Sequence, residues 1–136
     1  MNVDIVVPNQ TRYLRLIGNI AEQIAKELDT NDHDPDMLAY HLNLVLTEAV
    51  ANAIEYGGDE GPDKTVKVCL SIEDKELRIR VYDHGQGFDI SSLPTPAIDQ
   101  LNERGRGIFF IKNIMDSVVY HPSEDGNVLE MHKTLK

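Results

Sequence analysis

Glu48 and Asn52 stand four residues apart in "TEAVANAIEYGG", residues 47–58. On a helix that spacing makes them neighbours on one face, so their side chains can converge on one ligand. At about 100° per residue, Leu42, Leu46, Ala49, Val50 and Ala53 fall on a core-facing side, and His41, Glu48, Asn52 and Glu55 on the far side. A solvated polar face is one explanation. Two features speak for chemistry instead. Asparagine in a helix interior costs about 0.7 kcal/mol against alanine, and an amide oxygen beside a carboxylate is a hard-oxygen pair suited to Mg²⁺ with its waters.

A second cluster is "YDHGQGFD", where a strand delivers Asp83 at its end and Gly85 and Gly87 remove Cβ atoms as the chain turns. A carboxylate there could accept hydrogen bonds from an exocyclic amine such as that of adenine, while the glycines let a flat ring approach the backbone. A tight turn with Asp as turn former accounts for the same residues. The third is "RGRGIFFI", in which Gly105 and Gly107 lead into a helix, so unpaired backbone N–H groups and the helix dipole could meet an anion. Arg104 and Arg106 add local positive charge. This is not a Walker A loop, since the Lys-Ser/Thr pair is missing.

These motifs need elements to hold them. "VDIVV" reads as a short strand stopped by Pro8 and Asn9. Leu14, Ile17, Ala21, Ile24 and Leu28 form the stripe of an amphipathic helix. After "DTNDHDPD", Asp34 can cap a second helix with Pro35 in its first turn, and Gly57 suits its stop. "TVKVCLSI" and "LRIRVYD" alternate as strands joined by "EDKE" into a hairpin. Residues 84–107 form a long loop of the kind that is usually functional. "IFFIKNIMD" reads as a third helix, with Phe109 and Phe110 expected in the core. "SVVYH" and "VLEMHKTL", separated by "PSEDGN", read as a closing hairpin. The expected fold is α+β: a two-layer α/β sandwich whose antiparallel-rich mixed sheet carries helices on one face.

Composition narrows the partners. The 136 residues, 41% of them hydrophobic, fit one domain spanning residues 1–136. A net charge of −10 argues against a nucleic-acid or anionic-membrane surface, because both recruit basic patches. Cys69, the one cysteine, has no partner for an internal disulfide, and no apolar run is long enough to span a bilayer. The start "MNVDIVVPNQ" lacks signal-peptide features, so a cytoplasmic location is expected.

Taken in order, E-x-x-x-N on a helix, D-x-G-x-G after a strand and G-x-G opening a helix are far more specific than any one alone. The sequence resembles the histidine-kinase-like ATPase superfamily, also called GHKL or the Bergerat ATP-binding fold. Within it the resemblance is to the small anti-sigma-factor serine/threonine-protein kinases. "LTEAVANAIEYG" looks like their N box, "VYDHGQGFD" like their first glycine box and "GRGIFFIKNIMD" like their second. The resemblance covers nearly the whole chain. It implies Asn52 as the Mg²⁺ ligand, Glu48 as general base, Asp83 for the adenine amino group and Gly85 and Gly87 at the ring. It implies residues 88–104 as an ATP lid, ending at Arg104, with Gly105, Arg106 and Gly107 at the phosphates. Sporulation-type members carry a Thr-Thr-Lys-like stretch in that lid, whereas this chain has "SLPTPAIDQLNE", without a lysine.

The resemblance further implies a kinase that moves the γ-phosphoryl group of ATP to an anti-sigma factor antagonist and regulates a sigma factor by partner switching. An assembly of two copies is left open. The alternative is a non-catalytic module of the same fold, in which ATP only organises a partner surface. A sensor histidine kinase is disfavoured because only about forty residues precede the first motif, too few for a helical hairpin bearing a phosphoacceptor histidine.

Overall fold

Alternating apolar and polar residues build a five-stranded sheet. The computed structural model describes residues 1–28, 34–56, 64–83, 103–122 and 126–135. In chain order these form β1 (Asn2–Pro8), α1 (Leu14–Glu27), α2 (Pro35–Tyr56), β2 (Thr65–Glu73), β3 (Glu76–Asp83), α3 (Glu103–Ile114), β4 (Ser117–His121) and β5 (Asn127–Thr134). The strand order is β1-β2-β3-β5-β4. All four pairings are antiparallel, so the antiparallel-rich α+β sheet expected is present, with no parallel pair among the described strands. Each described strand returns beside its neighbour, and the hairpins β2–β3 and β4–β5 close with short connections that only antiparallel strands allow.

The β2–β3 turn is Asp74-Lys75, both with positive φ (51° and 66°), and Glu73 pairs with Glu76 across it. Two positive-φ residues make a type I′ geometry, whose twist matches that of the strands. The register places Val68 opposite Val81 and Leu70 opposite Ile79, and continues with Val81 opposite Leu129 and Ile79 opposite Met131. All of these are buried, so one face of the sheet is a continuous apolar floor. The other face carries Lys67, Arg78, Arg80 and Glu130, with Arg80 and Glu130 paired at 3.3 Å.

The helices cover the apolar face. α2 packs on β2 and β3, and α1 and α3 both pack against α2. Leu38, Leu42, Val45, Leu46, Ala49, Val50, Ala53 and Ile54 are all buried, so α2 is apolar on most of its circumference. That pattern marks a central helix rather than a surface one. Asp34 caps it as expected, its Oδ1 accepting from the backbone N–H of Asp36 at 3.0 Å. Gly57, the expected stop, lies outside the described residues. α1 buries Ile17, Ala21 and Ala25. It approaches α2 closely at Gly18, where a Cβ would stand 2.6 Å from Asn43 Oδ1. On α3 the core residues are Ile108 and Ile111, with Met115 just beyond its end, whereas Phe109 and Phe110 are only half-buried and meet edge to face. A helix one turn wide against α2 has room to bury one stripe, and the two phenylalanines flank it.

Candidate functional site

α3 packs against α2 and part of the far side of α2 is shielded, Asn52 being buried while Glu55 stays exposed. Asn52 is only 5% exposed, and Glu48, one turn earlier, is half-buried. α3 can come this close because residue 107 is glycine. A Cβ built there would stand 2.7 Å from Glu48 Oε2 and 3.6 Å from Asn52 Nδ2. Two motifs separated by more of the sequence than either helix contains thus meet in one place, across the α2–α3 contact. The Asn52 amide nitrogen is buried without a hydrogen-bond partner among the described residues. Such a group costs about 1–3 kcal/mol, and costs of that kind concentrate at sites that bind something else.

α3 begins at Glu103, earlier than the sequence pattern suggested. Gly105 falls in the first turn, whose backbone N–H groups have no intrahelical acceptor. Gly107 falls beyond that turn, where a helix satisfies its own N–H groups. Arg104 and Arg106 also stand in the first two turns, and their side chains lie outside the described set.

Asp83 ends β3 and is 3% exposed. Its direct cross-strand partner is Asn127, fully buried at the start of β5. Asn127 Nδ2 donates to Asp83 Oδ1 at 2.8 Å. A carboxylate is an acceptor on both oxygens, and here the Asn127 amide holds one of them. Asn127 was not among the expected site residues. It sits in "DGN", which reads as turn chemistry, and only the β3–β5 register reveals that it faces Asp83. Gly85, Gly87 and the expected lid, residues 88–104, lie outside the described residues except where α3 begins.

Across the described residues the structure places a helix-borne Glu–Asn pair under a glycine of α3 and a buried Asp–Asn pair at the ends of β3 and β5. Amide and carboxylate oxygens on α2 are the hard donors that Mg²⁺ takes. The Asn52 Nδ2 group, unsatisfied among the described residues, is a donor available to a ligand beside α2, while Glu48 Oε2 occupies the place under Gly107.

These features belong to an α+β domain with three helices on one face of an antiparallel sheet. Residues 7–133 match the histidine kinase-like ATPase domain family, and the chain belongs to it. The chain is similar to the serine-protein kinase RsbW of Bacillus subtilis (strain 168), 26% identical over 125 residues that span 85% of this chain and 75% of that protein. It is also similar to the anti-sigma F factor of Heyndrickxia coagulans, 35% identical over 97 residues, or 67% of this chain and 66% of the relative. Among solved structures, the RsbU and RsbW domains of a Mycobacterium tuberculosis protein superpose with a TM-score of 0.70 at 14% identity, over 99% of this chain and 32% of that one. The SiaB-SiaC complex of Pseudomonas aeruginosa superposes with a TM-score of 0.66 at 14% identity, over 96% and 88%. At that identity the likeness is one of fold. No described helix is long and apolar enough to cross a membrane.

Proposed function

We propose that the protein is an ATP-dependent anti-sigma factor and serine/threonine-protein kinase, which phosphorylates an anti-sigma factor antagonist and regulates a sigma factor by partner switching. The observation that carries this reading is the convergence of Glu48 and Asn52 under Gly107, with the Asn52 amide nitrogen buried and unsatisfied among the described residues. The names of the relatives support the same activity.

In this account Asp83, steadied by Asn127, accepts from the adenine amine. Asn52 would hold Mg²⁺ through its amide oxygen, and the ion would neutralise charge on the phosphates. The first-turn N–H groups of α3, with Gly105 among them, meet phosphate oxygens together with Arg104 and Arg106, and Gly85 and Gly87 leave space for the ring. Glu48 takes the proton from the serine or threonine hydroxyl as its oxygen bonds to the γ-phosphorus and the bond from that phosphorus to the β–γ bridging oxygen breaks, leaving ADP. Such transfers depend mainly on positioning and charge neutralisation, so this small set of groups is sufficient. The added phosphate would then change how the antagonist grips its partner.

Incubation with Mg-ATP and candidate antagonist proteins, followed by mass spectrometry, tests the reading. A phosphoserine or phosphothreonine on the antagonist is expected. ATP binding without transfer to any antagonist would favour the non-catalytic module.

A further inference from the structure

Gly107 needs a reason to be glycine. It lies inside α3, where glycine costs about 0.5–1 kcal/mol relative to alanine. The helical backbone there requires no positive φ; among the described glycines only Gly126 has one. Its position beyond the first turn also removes the usual argument for a glycine that presents a free N–H to an anion. What the structure shows is a steric reason: the space a Cβ would fill lies 2.7 Å from Glu48 Oε2, closer than any real Cβ contact tolerates, whereas Asn52 Nδ2 at 3.6 Å is at ordinary contact distance. The conflict is therefore with one atom, the carboxylate oxygen of Glu48.

We infer that Gly107 is a positioning residue for Glu48: by lacking a side chain it keeps open the place the carboxylate occupies, so that α3 sets where the base stands. The atom in conflict is the far end of a flexible side chain. A methyl at 107 can therefore be accommodated by swinging the carboxylate away while the helices stay packed. The inference about geometry stands on the α2–α3 contact alone; its kinetic consequence rests on the kinase reading above.

The test compares wild type with Gly107→Ala by following the Glu48 side-chain carboxyl carbon through a pH titration by NMR, the resonance being assigned by its loss in Glu48→Gln. The expected result is a titration midpoint displaced by about 0.5 pH units or more, since a carboxylate responds to any change in burial and neighbours. Superimposable curves in a folded Gly107→Ala protein would overturn the inference. Should Gly107→Ala fail to fold, Glu48→Ala in the same chain decides. With the carboxylate gone the methyl has room, so the double variant should melt cooperatively at or above the temperature of Glu48→Ala alone. A double variant that also fails to fold would place the conflict elsewhere and overturn the proposal.

In the kinetic arm, Gly107→Ala should lower transfer at saturating Mg-ATP by about tenfold or more, within the ~10²–10⁴-fold that a general base supplies, with nucleotide affinity kept within about twofold. Lost affinity with an unchanged saturated rate would assign Gly107 to phosphate contact instead. A wild type that transfers nothing would remove the kinase reading, and the carboxyl titration would still decide the role of Gly107.

Discussion

Asn127 and Asp83 face each other across the β3–β5 register, and the Asn127 amide donates to Asp83 Oδ1 at 2.8 Å in a setting where both side chains are buried. The pair ties the last residue of one internal strand to the first of its neighbour, at one end of the sheet. Asn127→Ala removes a donor from a buried carboxylate and should cost about 1–3 kcal/mol of stability. Urea unfolding measures this directly, and a change below about 0.5 kcal/mol would contradict it, since that is the scatter of ordinary surface substitutions.

The same pair sharpens a nucleotide prediction. In Asp83→Asn, the new amide can keep its oxygen on the Asn127 donor, which turns its NH₂ group toward the ligand side. A donor there opposes the adenine amine and suits the guanine carbonyl. ATP affinity should fall more than GTP affinity when both are measured by calorimetry. Equal losses would take Asp83 out of base recognition.

Much of this architecture was legible in the sequence. The alternating strands, the α1 stripe, the Asp34 cap and the Glu48–Asn52 face follow from local periodicity, which a chain carries in its own spacing. Three features were not legible, and all depend on tertiary packing. Asn52 is buried because α3 covers a face that α2 alone would expose. Asn127 meets Asp83 because of strand register, while its local sequence signals only a turn. The phenylalanines of α3 flank the buried stripe because the helix meets α2 through Ile108 and Ile111, a choice its sequence does not mark. For Gly85, Gly87 and the expected lid the structure adds nothing to the sequence pattern.

The face of the sheet opposite the helices makes a separate prediction. A pocket of about 340 Å³ there is lined by Asp4, Cys69, Ser71, Arg78 and Arg80, among others. Burial, and then the Asp4 carboxylate that accepts from the thiol, hold the Cys69 thiol above its ordinary pKa, while Lys67 and Arg80 oppose the shift. A raised thiol pKa means less thiolate at a given pH, so alkylation should be slow near neutrality and quicken only at more alkaline pH. Asp4→Asn removes the acceptor charge and should move that rise toward lower pH. An alkylation profile identical to that of the wild type would show that burial alone sets the reactivity.

His41 gives a stability profile of known sign. Burial, and then the Lys133 charge, lower its pKa below 6.5. The unfolded chain therefore binds the proton more readily than the folded one between the two values, and stability is lost as pH falls through 6.5 toward the lowered folded pKa. His41→Gln should flatten that part of the stability–pH curve measured by chemical unfolding. An equally steep curve would mean that other groups carry the slope.

The central claim is that Glu48 and Asn52, side by side under Gly107, divide the labour of phosphoryl transfer. The most direct measurement is antagonist phosphorylation by Glu48→Gln and Asn52→Ala, followed by mass spectrometry alongside calorimetric Mg-ATP affinity. Glu48→Gln keeps shape and polarity and removes only the base, so affinity should persist while transfer drops by roughly 10² to 10⁴-fold. Asn52→Ala should weaken both. A Glu48→Gln protein that phosphorylates at the wild-type rate would contradict the account.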